Sequence, residues 1–193
     1  MKTTVGIVFD GSRDIWLPLA LAGASGTKCT LMSDTDFLCV RCARHMRTCC
    51  QTSQIYITPG DVRRIEAHSG RGDFVEFQLP DDPIYLEQSD DPLWEECVFQ
   101  PDGTRRVLAR RADGDCTFLG ESGCTLPLEV RPLICRIYPY DYNAEGLKDR
   151  LARGCPLELL HPGQTLLTEL DMRRADAERW HGQLYEEIRE ELH

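Results

Sequence analysis

"FLCVRCARHMRTCC", residues 37–50, sets Cys39, Cys42, Cys49 and Cys50 within a dozen positions, the last two side by side. A CxxC pair chelates one ion because the two intervening residues make a tight turn that brings both sulfurs to the same side. The adjacent pair follows a different geometry. In a strand Cys49 and Cys50 point to opposite faces, and in a helix they stand roughly 100° apart, so sharing one tetrahedral ion is awkward. They suit different irons of a cluster, or two neighbouring sites.

The chain has ten cysteines, and the later ones fall among turn residues: "CTFLGESGC" at 116–124, "RPLICRIYP" at 131–139 and "GCP" at 154–156. Cys29 and Cys97 stand alone and read as small buried hydrophobes. Eight remain, enough for two four-cysteine sites, or for one site plus redox or catalytic thiols. The charge pattern agrees with metal binding. The chain carries 32 acids against 22 Lys and Arg, yet residues 39–50 hold Arg41, Arg44, His45 and Arg47 and no acid, and Arg131 and Arg136 flank Cys135. Cations favour the thiolate, the form that binds metal. They do not separate zinc from iron, since both four-thiolate centres are anionic. His45 could replace a sulfur, but the surrounding thiols are sufficient.

A net charge of -10 speaks against nucleic acid, whose phosphates call for a broad basic face. The apolar stretch at 15–22 follows Asp10 and Asp14 and does not read as a signal peptide, and no apolar run approaches a membrane span. The expectation is a cytoplasmic chain with no membrane role. In a reducing compartment its cysteines serve as metal ligands or redox groups more readily than as disulfides.

Local patterns give a coarse layout. Residues 3–9 read as a strand. "QIYITPGDVRRIEAHSG", residues 54–70, reads as a short strand and then a helix, with Thr58 as cap, Pro59 first, Asp61 in the first turn, Gly70 as the stop, and Val62, Ile65 and Ala67 as the buried stripe. Residues 72–102 suggest irregular strands, at "FVEFQL" and "PIYL", joined by turns. "TRRVLARRADGDCTFLG" suggests a hairpin, with a strand to about Arg111, a turn at "ADGD" and a return strand from Cys116. Residues 164–192 carry apolar residues partly at helical spacing, which predicts one or two amphipathic helices. The fold expected is α+β: a small irregular single domain, with short strands or hairpins and helices pinned by cysteine-ligated metal, and a C-terminal amphipathic helix. Its parts are an N-terminal extension at 1–36, a cysteine-cluster metal-binding domain at 37–163, and a helical segment at 164–193 packed on the same domain.

In "FLCVRCARHMRTCC", "ITPGDVRRI", "CTFLGESGCTLPLEVRPLICRIYPY" and the following "GCP", the chain resembles the YkgJ-type cysteine-cluster family, described as zinc- or iron-chelating and often labelled iron–sulfur oxidoreductases. The resemblance extends from about Phe37 to Pro156. It implies Cys39, Cys42, Cys49, Cys50, Cys116, Cys124, Cys135 and Cys155 as metal ligands, holding a 4Fe–4S cluster or iron, or alternatively zinc. The six-residue gap before Cys49 is longer than the family's compact spacing, which leaves the separate roles of Cys49 and Cys50 open. The cysteine region is also similar to that of the flagellin lysine N-methylases, which implies S-adenosylmethionine chemistry. Neither "GASGTKC" nor "SGRGDF" fits a phosphate-binding loop.

Two function classes follow. One is an iron-dependent oxidoreductase or protein-modifying enzyme, acting on a protein or peptide substrate or exchanging electrons with a partner. Arg131, Arg136 and Tyr138, beside Cys135, are then its candidate catalytic groups, because arginine orients carboxylates and tyrosine relays protons. In the bland reading the arginines neutralise thiolates and Tyr138 packs in the core. The other class is a zinc-stapled binding or adaptor module without catalysis.

Overall fold

The computed structural model describes residues 37–86 and 90–190. The strand expected at 3–9, the isolated Cys29 and the end of the C-terminal segment lie outside the described residues. What is described is a small mixed α+β unit of short helices and antiparallel strand pairs.

The first cysteine group occupies two short helices, α1 (Leu38–His45) and α2 (Cys49–Thr52). The next, α3 (Pro59–Ser69), is built as its sequence dictates. The Thr58 hydroxyl accepts from the Asp61 N–H at 2.9 Å, the Asp61 carboxylate accepts from the Thr58 N–H at 3.1 Å, and Gly70 ends the helix in the left-handed region at φ 67°. Its buried side is not the apolar stripe expected. Gly60, Asp61 and Ile65 are buried, Val62 is half-buried and Ala67 is exposed. The reason is a polar hub. Asp61 accepts from the Leu133 N–H at 3.1 Å and from Arg64 at 2.6 Å, Arg64 also donates to Glu187 at 2.5 Å, and the Thr58 hydroxyl donates to Glu187. Gly60 lies so close to Glu187 that a methyl group there would overlap the carboxylate.

Strand β1 (Val75–Gln78) pairs antiparallel with β2 (Arg105–Leu108), Val75 opposite Leu108, and Tyr56 bridges to Val107. Residues 72–102 are less strand-like than expected. "PIYL" is a 3-10 turn, Pro83–Leu86, and α4 (Pro92–Val98) follows it. The signals for α4 are in the sequence: Asp91 accepts from the Trp94 N–H at 3.1 Å and Pro92 takes the first position. The turn at "ADGD" forms, with Gly114 at φ 87°, but the return strand reduces to a bridge between Arg110 and Cys116. Beyond it β3 (Leu119–Gly120) pairs instead with β4 (Gly123–Cys124). β2 has spent its ladder on β1.

Helix α5 (Leu133–Ile137) leads into the pair β5 (Tyr140–Asn143) and β6 (Gly146–Leu151). The C-terminal segment forms α6 (Leu166–Glu169) and α7 (Arg174–Arg189), and α7 packs on α5 and β6. One apolar cluster joins Trp94 and Cys97 of α4, Ile137 of α5, and Trp180, Leu184 and Ile188 of α7. A second holds Ile57, Ile65, Phe74, Phe118 and Leu126, with Cys116 among them. Cys97 is thus a packing residue of the first core.

Leu184 is fully buried in that core, whereas Leu157 is 62% exposed. Leu184→Ala should cost about 2–5 kcal/mol in urea unfolding. Leu157→Ala should stay within about 0.5 kcal/mol of the parent.

Candidate metal centre

Cys39 and Cys42 are three residues apart on α1, so their side chains share a helix face. Between them Arg41 is buried at 5% exposure, and it holds α1 to the C-terminal segment. Its guanidinium donates to Glu169 and lies 2.8 Å from His161 Nε2, and the His161 N–H donates to Glu169 at 2.8 Å. Alongside, His45 lies 3.4 Å from Glu158, and α1 packs on the 3-10 turn Leu157–Leu159 that follows Cys155. The α1 cysteines are thereby brought to Cys155.

Three bonds staple α2 to the loop before Cys116. The Cys116 N–H donates to the Cys50 carbonyl at 2.9 Å, the Gln51 amide donates to Asp115 at 3.0 Å, and Arg110 donates to the Gln51 carbonyl at 3.2 Å. Cys50 and Cys124 pack with Cys116 against the second apolar cluster. Cys124 lies opposite Leu119 in the β3–β4 pair, and Cys135 sits on α5, one turn beyond Pro132. At Cys155 the Tyr138 hydroxyl comes within 3.7 Å of the sulfur. Gly154 has φ 127° and lies so close that a Cβ would stand 3.2 Å from that hydroxyl.

None of the nine described cysteines forms a disulfide. Burial, with the like charges of Cys49 and Cys155, pushes the Cys39 thiol up to about 12, and burial with Cys155 and Cys49 raises Cys42. The hydrogen bond between neighbours splits the adjacent pair. It lowers Cys49 to about 7 and drives Cys50 far up, where burial and the charges of Cys135 and Cys116 add to the effect. Burial raises Cys135 well above its ordinary value, and Cys49, Cys124 and Cys116 push the same way. Burial also raises Cys155, against the lowering effect of the Tyr138 hydrogen bond. Thiols that raise one another in this way are thiols in need of a cation.

The donor set fits a thiophilic metal: eight free sulfurs from α1, α2, the 116–124 loop, α5 and the 154–156 turn. Among the described residues no three Cys, His, Asp or Glu side chains stand in coordination geometry. The sulfurs are electrostatic neighbours of one another.

The cations are distributed differently from the expectation. Arg131 lies near enough to lower Cys39, and Arg110 and Arg111, which the sequence reading passed over, act in the same sense on Cys116. Arg41 is engaged with Glu169, and Arg47 donates to the Gln51 carbonyl. Of the three candidate catalytic groups, Arg131 donates to the Leu126 carbonyl at 2.9 Å, and Arg136, 2% exposed, donates to the carbonyls of Arg131 and Glu129 at 2.7 Å. Tyr138 divides its hydroxyl between Cys155 and the Arg153 carbonyl, 3.3 Å away. A shallow cavity of about 190 Å³ is lined by Tyr85, Leu86, Glu95, Phe99 and Gly103, none of them a cysteine.

An all-sulfur set of this kind defines a class, the cysteine-ligated zinc and iron proteins. Residues 38–156, more than half of the chain, match the CxxCxxCC family, described as "Putative zinc- or iron-chelating domain", and the chain belongs to that family. No curated protein and no solved structure matches the chain. Among the described residues no helix is long and apolar enough to cross a membrane.

Two outcomes follow from these fields. In reduced, metal-free protein Cys49 should be the first thiol alkylated, its rate following an ionisation near pH 7, while Cys50 and Cys135 remain protonated at that pH and react far more slowly. Peptide mapping after iodoacetamide at a series of pH values reads this directly, and a Cys49 midpoint near the ordinary 8.5 would refute it. The second concerns Glu169, whose carboxyl the His161 N–H, the His161 ring and Arg41 hold below the usual range. Its stabilising effect is present above the unfolded carboxylate value and is lost as pH falls through the lowered one. Glu169→Gln should therefore flatten the acid limb of a stability-versus-pH curve and lower stability at neutral pH.

Proposed function

We propose that the protein is a metal-stapled module, in which the eight clustered cysteines bind zinc or iron and so close the fold around residues distant in sequence. The observation that carries this reading is the convergence of eight unpaired sulfurs from five segments, with no histidine or carboxylate needed to complete the set. A metal closed by four thiolates has no open position for substrate, so its work is to hold structure or to pass electrons. Zinc is the ion that closed all-thiolate sites take when holding structure is the task. The Nε of Arg131 and two nitrogens of Arg136 are engaged with backbone carbonyls, which supports a module without catalysis over an enzyme built on these groups. A net charge of -10 disfavours nucleic acid as a partner and leaves a protein or peptide as the class to test, and the unpaired thiols fit the reducing cytoplasm.

One contact favours a second reading, an iron or 4Fe–4S redox protein. The Cys155 thiol donates to the Tyr138 hydroxyl, and with Cys155 as a metal-bound thiolate that hydroxyl would turn donor to sulfur, the kind of hydrogen bond by which proteins set a cluster's potential. The S-adenosylmethionine reading gains no support from "SGRGDF", whose glycines serve to end α3 and lead into β1.

Metal and acid-labile sulfide per chain, measured with the visible spectrum on anaerobically purified protein, decide between them. Zinc at about one or two ions per chain, no sulfide and no colour is the expected result. Brown protein with iron and equimolar sulfide would replace the first reading with the second, and protein that takes up no metal would overturn both.

A further inference from the structure

Adjacent cysteines on one short helix pose the question that the metal reading leaves open: how many centres there are, and which sulfurs each one takes. Cys49 and Cys50 begin α2, so about 100° of helix rotation separates their side chains. The two directions lead to different surroundings. Cys50 turns toward the second apolar cluster, where Cys116 and Cys124 lie, and its carbonyl is bonded to the Cys116 N–H. Cys49 belongs to neither apolar cluster and is exposed. The shared face of Cys39 and Cys42 is carried to Cys155 by the packing of α1 on 157–159 and by the links from Arg41 to Glu169 and His161, while α1 also touches β4, the strand of Cys124, so the two groups of sulfurs are neighbours.

We propose that α2 is a fork between two metal centres: Cys49 completes a four-sulfur site with Cys39, Cys42 and Cys155, and Cys50 completes a second with Cys116, Cys124 and Cys135. The proposal rests on the metal reading above and adds the ligand partition, each site taking a divalent thiophilic ion or an iron cluster.

The neighbours of each sulfur are consistent with this division, with Cys49 lying near both sets. Cys39 and Cys42 each lie near Cys49 and Cys155, Cys50 lies near Cys49, Cys135 and Cys116, and Cys116 lies near Cys124. Cys135 lies near Cys49 as well as Cys124 and Cys116, as a fork with its two sulfurs one residue apart requires. The cations divide too. Four thiolates around a divalent ion carry a net charge of about -2. Arg131 acts on Cys39 of the first set, and Arg110 and Arg111 act on Cys116 of the second. A fork of this kind also accounts for the adjacency itself, because a single tetrahedral ion gains little from a second sulfur pointing away from it.

The test is the pattern of thiol protection in the anaerobically purified full chain, read position by position by peptide mass spectrometry after iodoacetamide. In Cys49→Ser, Cys39, Cys42 and Cys155 should lose protection completely, while Cys50, Cys116, Cys124 and Cys135 keep that of the parent. Cys50→Ser should give the reverse. Since either variant can fail to fold, the parent is also titrated with EDTA while released thiols are labelled. Cys49 should then be released together with Cys39, Cys42 and Cys155, and Cys50 at a different EDTA concentration with Cys116, Cys124 and Cys135. Release of Cys49 and Cys50 together, or a variant that folds and exposes both sets equally, overturns the fork and leaves the metal reading standing. Full labelling of the untreated parent overturns the metal reading itself.

Discussion

The described structure depends on sulfurs held close enough to repel one another as thiolates. Burial and mutual charge raise Cys39, Cys42, Cys50 and Cys135 together, so without a cation these thiols keep their protons, and the repulsion is avoided by staying neutral. On the metal reading, a bound cation would displace those protons, and binding would be coupled to folding because the sulfurs come from segments that only the folded chain brings together. The strand pairs are too short to do this alone: β3 and β4 have two residues each, and α2 is a single turn. Elements this small need a tie.

Two polar clamps position the ties. Arg41, Glu169 and His161 set α1 against the C-terminal segment, and Thr58, Asp61, Arg64 and Glu187 set α3 against α7 and α5. Each is a buried ionic group with several partners, and such a group tolerates few alternative packings because any unpaired member would carry the full cost of desolvation. Their value is in specificity: they hold the sulfur-bearing helices in register while the apolar clusters supply the bulk of the burial energy.

Legibility in the sequence followed range. The capping box of α3, its Gly70 stop, the turn at "ADGD" and the amphipathic C-terminal helix all depend on residues within a few positions of each other, and all form. Ala67 does not join Ile65 because it stands about 200° round the helix from it, on the exposed side, and the face that carries Gly60 and Arg64 meets the carboxylate of Glu187, which an apolar stripe does not foretell. The return strand from Cys116 was misread because β2 had a competing partner in β1. Nothing in a local pattern ranks two possible strand partners.

For the site, the sequence by itself determined the donor chemistry: eight clustered cysteines, two of them adjacent, in a segment of basic residues within an acidic chain. It also determined that the adjacent pair diverges, since helix and strand geometry both separate neighbouring side chains. Only the tertiary structure decided the company each sulfur keeps. Cys155 meets the α1 pair through Arg41 and the 157–159 turn, and Cys50 meets Cys116 through a backbone hydrogen bond across more than sixty residues. Those encounters are set by packing between elements, and long-range packing is a property of the whole fold that spacing along the chain does not contain.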